Sequence, residues 1–325
     1  MNFFRTAVVK LSRKFAAYFG GTLLSNIIYK QILIQRACAV KELVEIECCK
    51  LEQGLVCVVF SKDRALQLHA LLNTYFICVK NPVPVFVIYA VSSDEHEKAY
   101  REVEEIFFNR SVTVTFVNES HNFRTSLLSV LDNVKVTSIF FLVDDIVFIR
   151  PFDLSIVANL DSRHTTLSLR HSPNLRRSYT ANVSQLPPNF FQSEISPDLL
   201  MFAWFERGCE WSDPWSVDGH ILSTAEVRVL SRISKFKAPN SYEVALKTFN
   251  DLMTQRVGVC FRESKILNLP INRVQNEIQN LSGSVSALFL LEQWNNGMMI
   301  DTSVFKDHIP LAPHEEHVIK FKRRS

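Results

Sequence analysis

One stretch constrains the fold more than any other, the segment Ser138–Asp153, whose sequence is SIFFLVDDIVFIRPFD. A run of large apolar residues, 139–143, is followed at once by Asp144 and Asp145, and then by a second apolar run, 146–149. A continuous apolar run is typical of a strand buried on both faces of a parallel sheet. Ligands bind at the carboxyl ends of such strands, and adjacent acids are costly to bury without a cation. The segment therefore predicts either a ligand site at the acidic pair or an acidic turn that faces water.

Composition narrows the class of protein. The chain has 325 residues, of which 47% are hydrophobic and 21% charged, which is ordinary for a globular protein of one large or two smaller domains. The net charge of +3 gives no general basic field, so we expect no nucleic-acid partner. The seven cysteines are odd in number and lack a framework spacing, which predicts free thiols in a reducing compartment, the cytoplasm.

The N-terminal region differs from the rest in charge. Residues 1–41 contain several basic residues and no acidic one, with apolar residues between them. This pattern suits an anionic membrane surface, whereas the least polar part, 15–29, is shorter than the roughly 20 residues that a spanning helix needs. We interpret residues 1–50 as a basic amphipathic arm that places the protein peripherally at the inner face of the membrane. A helix packed on the domain, or a short signal-anchor, is the alternative.

Beyond residue 50, short apolar runs alternate with helical patterns. The predicted strands are 54–60, 83–91, 112–117, 138–143 and 165–170, and the predicted helices are 65–75, 95–108, a helix that begins at 123, and 224–233. The alternation predicts an α/β fold with a doubly wound, mostly parallel sheet flanked by helices. Neither a GxGxxG nor a GxxxxGK motif follows the first strand, which excludes the dinucleotide fingerprint and the P-loop.

Polar residues follow the first predicted strand at the edge where parallel sheets bind ligands. They are Ser61, Lys62, Asp63 and Arg64, and we expect them to contact a nucleotide, with a solvated turn as the alternative. Arg124, in the first turn of the helix that begins at 123, is a further candidate for nucleotide contact.

Several short motifs occur in an order that indicates a family. They are FSKDR after the first strand, VDDIVF followed by RPFDL, SLR…N, WSVDGHI, PINRVQNEIQN, NNGMMID and the terminal APHEEH. Together they resemble bacterial glycosyltransferases of the GT-A fold over roughly residues 54–320. The resemblance implies a single GT-A-like domain over 51–325, with a nucleotide-binding half at about 51–160 and an acceptor half at about 161–325 that includes a C-terminal acceptor-side extension.

The resemblance also implies a metal site. VDDIVF is similar to the DXD-type motif, in which an acid holds Mn²⁺ or Mg²⁺ against the diphosphate of the donor and a neighbouring acid touches the ribose. Asp145 is then the expected metal ligand, and Asp144 a ligand or the ribose partner. A strict DXD motif would have an acid where this chain has Ile146, so the metal geometry stays open. Enzymes of this fold often bring a C-terminal histidine to the metal, and of His314 and His317 we favour His314; a solvated tail is the alternative.

The remaining candidates concern the acceptor and the sugar. Asp218, in the loop before the helix at 224–233, is the expected base for the acceptor hydroxyl, or else a residue of the helix N-cap region. Trp215 is expected to stack on a sugar ring or to lie in the core, and His220 to have a functional or a structural role. The SLR…N motif also implies that Arg170 and Asn174 contact the acceptor or the sugar.

These residues predict a hexosyltransferase-type glycosyltransferase. It would move a sugar from a nucleotide-sugar donor to a glycan or lipid-linked acceptor, in the synthesis of a surface polysaccharide. A nucleotidyltransferase is one alternative, although the chain lacks a glycine-rich phosphate loop near the first strand. A non-catalytic glycan- or nucleotide-binding relative is the other, and Ile146 is the residue that supports it.

Overall fold

The computed structural model describes residues 22–119, 122–272 and 283–324, and the chain divides into two compact units, Met1–Cys49 and Lys50–Ser325. The described part of the first unit is a helix, α1, at Thr22–Cys48. The predicted amphipathic character of residues 1–50 stays a prediction. The earlier part of the predicted membrane-binding arm lies outside the described residues. Across the described ranges, every helix is too short or too polar to cross a membrane.

The second unit alternates helices and strands. Its helices are α2 Ala65–Cys78, α3 Asp94–Phe107, α4 Phe123–Asn133, α5 Thr224–Ile233, α6 Pro239–Lys247 and α7 Ala287–Asn295. Its strands are β1 Glu52–Lys62, β2 Val79–Lys80, β3 Val85–Ala90, β4 Val114–Asn118, β5 Val136–Val143, β6 Ile146–Phe148, β7 Phe152–Asp153, β8 Thr165–Ser168, β9 Arg177–Ser178, β10 Val183–Ser184, β11 Phe191–Gln192, β12 Leu199–Ala203, β13 His220–Ser223, β14 Val257–Phe261, β15 Ile266–Asn268, β16 Met298–Ile300 and β17 Phe321–Arg323.

The central sheet has the strand order β11-β12-β14-β8-β13-β5-β1-β3-β4. Strands β5, β1, β3 and β4 pair in parallel, as the sequence predicts. β13 lies antiparallel between β5 and β8, and β12 is antiparallel to both of its neighbours; the other strands of the sheet run in one direction. The predicted α/β fold with a mostly parallel sheet flanked by helices is confirmed, and β12 and β13 are the strands of this sheet that run antiparallel to their neighbours.

The core lies around the pair β1 and β5. Val58 is opposite Phe141 in this pairing, and both side chains are fully buried. Phe60 also stacks on Phe141, with ring centroids 5.4 Å apart. Side chains on both faces of these strands are therefore removed from water, at about 1.5–3 kcal/mol for each large apolar side chain. This burial fixes the register of the two strands and, with it, the position of the residues at their carboxyl ends.

The ends of these strands meet the C-terminal part of the chain. Asp144 follows β5, and its backbone N–H donates to the carbonyl of Phe60 in β1 at 3.1 Å. The carbonyl of Asp145 accepts from the backbone N–H of Leu269, just after β15. Next to it, Asn268 forms an isolated parallel bridge with His314. Backbone hydrogen bonds thus bring three distant segments to one edge of the sheet.

Candidate active site

Asp144 is held in place by protein donors. Its Oδ1 accepts from Arg64 Nη1 at 2.8 Å, and its Oδ2 accepts from the Ser61 hydroxyl at 2.8 Å and from the backbone N–H of Lys62 at 3.1 Å. The residue is only 3% exposed. Since both carboxylate oxygens already have close partners, Asp144 fits a metal ion less well than the sequence suggests, and it fixes the loop after β1 instead.

Asp145 has a different environment. Its Oδ2 is 3.7 Å from Arg64 Nη1, and its Oδ1 is 3.4 Å from Asn268 Nδ2, so both contacts are long. Burial raises the pKa of Asp145 to about 7, and the negative charges of Asp144 and Asp218 add to the shift, while Arg64 opposes it. Protein groups therefore compensate this charge poorly, which is what a site for a bound cation requires.

Asp218 and Asp145 line one polar cavity, and a buried cation fixes the orientation of Asp218. Arg170 Nη1 donates to Asp218 Oδ2 at 3.0 Å, and its Nη2 donates to Glu210 Oε2 at 2.6 Å. Asp218 is followed by Gly219, whose φ of +76° is in the left-handed region. A Cβ at that glycine would lie 2.4 Å from Cδ1 of Ile266, so the turn that presents Asp218 needs a residue without a side chain.

His314 completes this side of the cavity. Its Nε2 is 3.6 Å from Asp218 Oδ2, and its ring stacks on Tyr179 at a centroid distance of 6.1 Å. Its Nδ1 is buried and finds no hydrogen-bond partner within the described part of the chain. Burial lowers the pKa of His314, against the opposing charge of Asp218, so the ring is neutral and can donate a lone pair.

Asp145, Asp218 and His314 line one polar cavity of about 470 Å³, a volume typical of small-molecule sites. Helix α6 and the loop before β13 contribute another part of its lining. There Lys247 Nζ lies 2.8 Å from Asp213 and 3.7 Å from Glu243. Burial raises the pKa of both acids; the charge of Glu210 adds to the rise at Asp213, and the charge of Asp213 adds to the rise at Glu243. The cavity thus has two groups of carboxylates with cations between or beside them.

A divalent metal fits part of this arrangement. A carboxylate that the protein compensates poorly, Asp145, and a neutral imidazole with an unpaired ring nitrogen, His314, line the same cavity. Carboxylate oxygens suit both Mg²⁺ and Mn²⁺, whereas an added imidazole disfavours Mg²⁺. Asp145, Asp218 and His314 do not form a compact triad. Among the described residues, the ligand atoms that lie within 4.8 Å of one another belong to a different group, His308, Glu315 and His317.

Most of the predicted nucleotide-contact residues at the end of β1 and in the loop after it hold protein groups instead. The Ser61 hydroxyl also hydrogen-bonds Tyr100, and the side chain of Lys62 is exposed. Asp63 has a φ of +53° and accepts from the backbone N–H of Ser92 at 2.7 Å. Asp63 is therefore occupied in holding two loops together, and of the predicted group only Arg64 lines the cavity.

Other predicted residues lie away from the cavity. Arg124 donates to the carbonyls of residues 231, 232 and 234 at the end of α5, so it joins two helices, which corrects its assignment to the nucleotide. Trp215 and His220 are fully buried, and this corrects the expectation that they contact a sugar, since neither ring has a face open to a ligand. Asn174 is half-buried and is not among the described residues that line the cavity.

Several cavity residues escaped the sequence prediction. Glu243 and Lys247 are one helical turn apart on α6, where their spacing resembles any surface ion pair. Asn268 ends a short apolar run, a signal that could have marked it as a residue at the end of a strand. Tyr179 lies in a loop without regular pattern, so the sequence contains no signal for it.

Comparison with known proteins gives a distant relative. The chain is 27% identical over 204 residues to the bifunctional glycosyltransferase pgtA of Dictyostelium discoideum, a match that covers 57% of this chain and 26% of the relative. The match thus spans about a quarter of that protein's length. No family model matches the sequence.

Solved structures show weaker likenesses. The chain is 11% identical to a Staphylococcus aureus TarS fragment in complex with UDP-GlcNAc, with a TM-score of 0.43 over 72% of this chain and 62% of that one. It is 14% identical to the mannosyltransferase PcManGT of Pyrobaculum calidifontis in complex with GDP-Man and Mn²⁺, with a TM-score of 0.29 over 44% and 45% of the two chains. A 4-diphosphocytidyl-2C-methyl-D-erythritol synthase of Anaerococcus prevotii gives a TM-score of 0.38 at 11% identity, over 75% of this chain and 96% of that one. These scores are too low for any of the three to bear on function.

Proposed function

We propose that the chain is a glycosyltransferase that takes a nucleotide-diphosphate sugar as donor and a glycan or lipid-linked hydroxyl as acceptor. One observation is central to the proposal. A carboxylate whose pKa burial raises to about 7, Asp145, faces a polar cavity at the carboxyl edge of the sheet, together with Asp218 and His314. The distant similarity to a glycosyltransferase supports the same function.

The donor would bind at the Asp145 side of the cavity. We assign Asp145 and His314 as the residues that hold Mn²⁺, which when bound neutralises charge on the diphosphate leaving group. Asp144 positions this site indirectly, because it fixes Arg64 beside Asp145. The Arg64 guanidinium lines the cavity and adds a fixed positive charge for the donor.

Asp218 is the proposed base. In the transfer, the acceptor oxygen forms a bond to the anomeric carbon of the sugar, the bond from that carbon to the diphosphate breaks, and the acceptor proton goes to a carboxylate. Asp218 lies beside His314, and Arg170 fixes its orientation. Glu243 is a second candidate, because a raised pKa makes its carboxylate a stronger base.

A donor screen tests the proposal. The full chain is incubated with UDP-, GDP-, CMP- and dTDP-sugars in the presence of Mn²⁺ or Mg²⁺, and release of the nucleotide and change of the melting temperature are measured. We expect at least one donor to be turned over or to stabilise the protein, and the Asp145→Asn variant to lose this response. If every donor leaves both measurements unchanged, the chain is not a nucleotide-sugar enzyme.

A further inference from the structure

A second group of metal-ligating side chains lies in the C-terminal segment, apart from the cavity lining. Nε2 of His308 is 2.6 Å from Oε2 of Glu315, and Nε2 of His317 is 3.2 Å from the same oxygen. All three ligand atoms lie within 4.8 Å of one another. Two imidazole nitrogens and one carboxylate oxygen therefore converge on a single small volume.

The three side chains are held in this arrangement by their surroundings. Oε1 of Glu315 accepts from the backbone N–H groups of Leu311 and Ala312, which leaves Oε2 directed at the two imidazoles. The His317 ring packs edge-on against Phe305 at a centroid distance of 5.2 Å, and it is nearly perpendicular to the ring of His308. The ligand atoms are thus positioned before any ion arrives, which reduces the cost of ordering them on binding.

The donor set matches a particular class of ion. Two histidines and one glutamate form the ligand set of many three-residue zinc sites, in which a water takes the fourth position. With metal–ligand bonds of about 2.0–2.2 Å, tetrahedral ligand atoms lie about 3.3–3.6 Å apart. The observed separations of 2.6 and 3.2 Å need only a small outward movement to reach that spacing. The side chains of His308 and His317 are 31% and 29% exposed, so water can reach the open position.

We propose that His308, Glu315 and His317 bind one Zn²⁺ or a similar transition-metal ion, at a site distinct from the cavity. The ion takes the place of the Nε2–H hydrogen bonds to Glu315, and each neutral imidazole then carries its ring proton on Nδ1. It joins both ends of the segment 308–317 through bonds stronger than the hydrogen bonds it replaces. The folded chain with the ion bound is accordingly more stable than the ion-free chain.

The proposed metal site encloses, in sequence, the cavity residue His314. Between its ligands lies His314, whose neighbours Pro313 and Glu315 hydrogen-bond the backbone of Asn268 at 3.0 and 3.1 Å. An ion that fixes residues 308–317 also fixes His314 against Asp218. This consequence, unlike the metal site itself, rests on the proposed function.

Direct metal binding tests the proposal without any nucleotide sugar. The full chain, without an affinity tag and dialysed against a chelator, is titrated with Zn²⁺ in competition with a chromophoric chelator, and with Co²⁺, whose visible absorption reports tetrahedral coordination. We expect one tightly bound ion in the wild type and its loss in His317→Gln and His308→Gln. Two matched variants, His314→Gln in the cavity and His164→Gln on the exposed surface, should keep it.

Two outcomes would overturn the proposal. One is a wild type that holds Zn²⁺ no more tightly than the His308→Gln, His317→Gln double variant; the other is loss of the ion in His314→Gln with retention in His317→Gln. If a variant does not fold, X-ray absorption of the zinc-loaded wild type decides instead. Two imidazole ligands support the site, and one or none overturns it. A failed donor screen leaves these results unaffected.

Discussion

Arg64, in the loop after β1, and Asp144, directly after β5, form an ion pair of 2.8 Å that is almost wholly buried. The same guanidinium reaches Asp145 at 3.7 Å and donates to the backbone carbonyl of Asn272. One cation therefore connects the loop after β1, the acidic pair after β5 and the segment after β15. Because Arg64 pairs closely with Asp144 and only distantly with Asp145, the two adjacent acids have different surroundings.

Loss of that ion pair should cost much more stability than loss of a surface pair. Arg64→Met leaves the Asp144 charge buried without its cation, and we expect the free energy of unfolding to fall by roughly 3 kcal/mol or more. Arg101→Met is the matched control, because the Arg101–Glu97 pair is similarly short, at 2.7 Å, but Arg101 is largely exposed, so its loss should change the free energy of unfolding much less. Urea unfolding of both variants measures the difference. Equal losses would show that Arg64 does not compensate a buried charge.

Removal of the Asp145 charge should abolish metal-dependent donor binding while the fold is kept. Asp145→Asn preserves the size of the side chain, and its long contacts to Arg64 and Asn268 contribute little to stability. We expect the rise in melting temperature produced by Mn²⁺ with a donor to disappear. The exposed Asp251→Asn variant should behave as the wild type. An unchanged response in Asp145→Asn would remove this residue from the metal site.

Two variants decide which carboxylate is the base. If Asp218 accepts the proton, Asp218→Asn spares donor binding and lowers the rate of transfer by about 10²–10⁴-fold, while Glu243→Gln has a small effect. Single-turnover transfer and donor affinity are measured separately for each variant. The opposite ranking of the two rates would assign the base to Glu243, whose pKa is raised by burial and by Asp213.

His69 should make the fold sensitive to acid. Burial lowers its pKa to about 4, helped by the positive charges of Arg324 and Arg110, below the ordinary value of 6.5. Between these values the unfolded chain binds the proton and the folded chain does not. Stability is therefore complete above about pH 6.5 and is lost as the pH falls towards 4, by at most about 1.4 kcal/mol per pH unit.

Chemical unfolding across this pH range checks the effect. The ring of His69 packs between Phe107 and Trp294, so His69→Leu keeps an apolar contact while it removes the titration. We expect a shallower loss of stability in acid for His69→Leu than for the wild type. His164→Leu, at an exposed position, should keep the wild-type slope. Identical slopes for all three proteins would contradict the prediction.

Gly219 should tolerate a side chain less well than Gly297, a glycine with nearly the same backbone conformation. Gly219 and Gly297 have φ values of +76° and +73°, so alanine strains both by about 1–2 kcal/mol. At Gly297 the new Cβ meets nothing within 4 Å, whereas at Gly219 it lies 2.4 Å from Ile266. Gly219→Ala should therefore be the more destabilising of the two in thermal unfolding, and should also slow transfer, because it displaces Asp218. Equal melting temperatures would show that Ile266 moves aside freely.

Several elements of the domain follow from local pattern. The apolar run at 138–143 predicts β5 at Val136–Val143, and helix α5 at Thr224–Ile233 has the predicted bounds. Asp145 and Asp218 line the cavity as expected, although their roles stay predictions. For Trp215 the pattern leaves two positions open, because an aromatic residue in a polar loop can pack inwards as easily as outwards, and the structure buries it fully.

Local pattern places β1, β3, β4, β5 and β8 within two residues of their observed bounds, because a run of apolar side chains is a local property of the chain. Packing between distant segments decides that β13 reverses direction and that His314 reaches Asp218. It also decides that Asp144 is satisfied by protein donors while Asp145 remains open to a cation. These features depend on contacts between segments far apart in sequence, whose energies appear only when the whole core has packed.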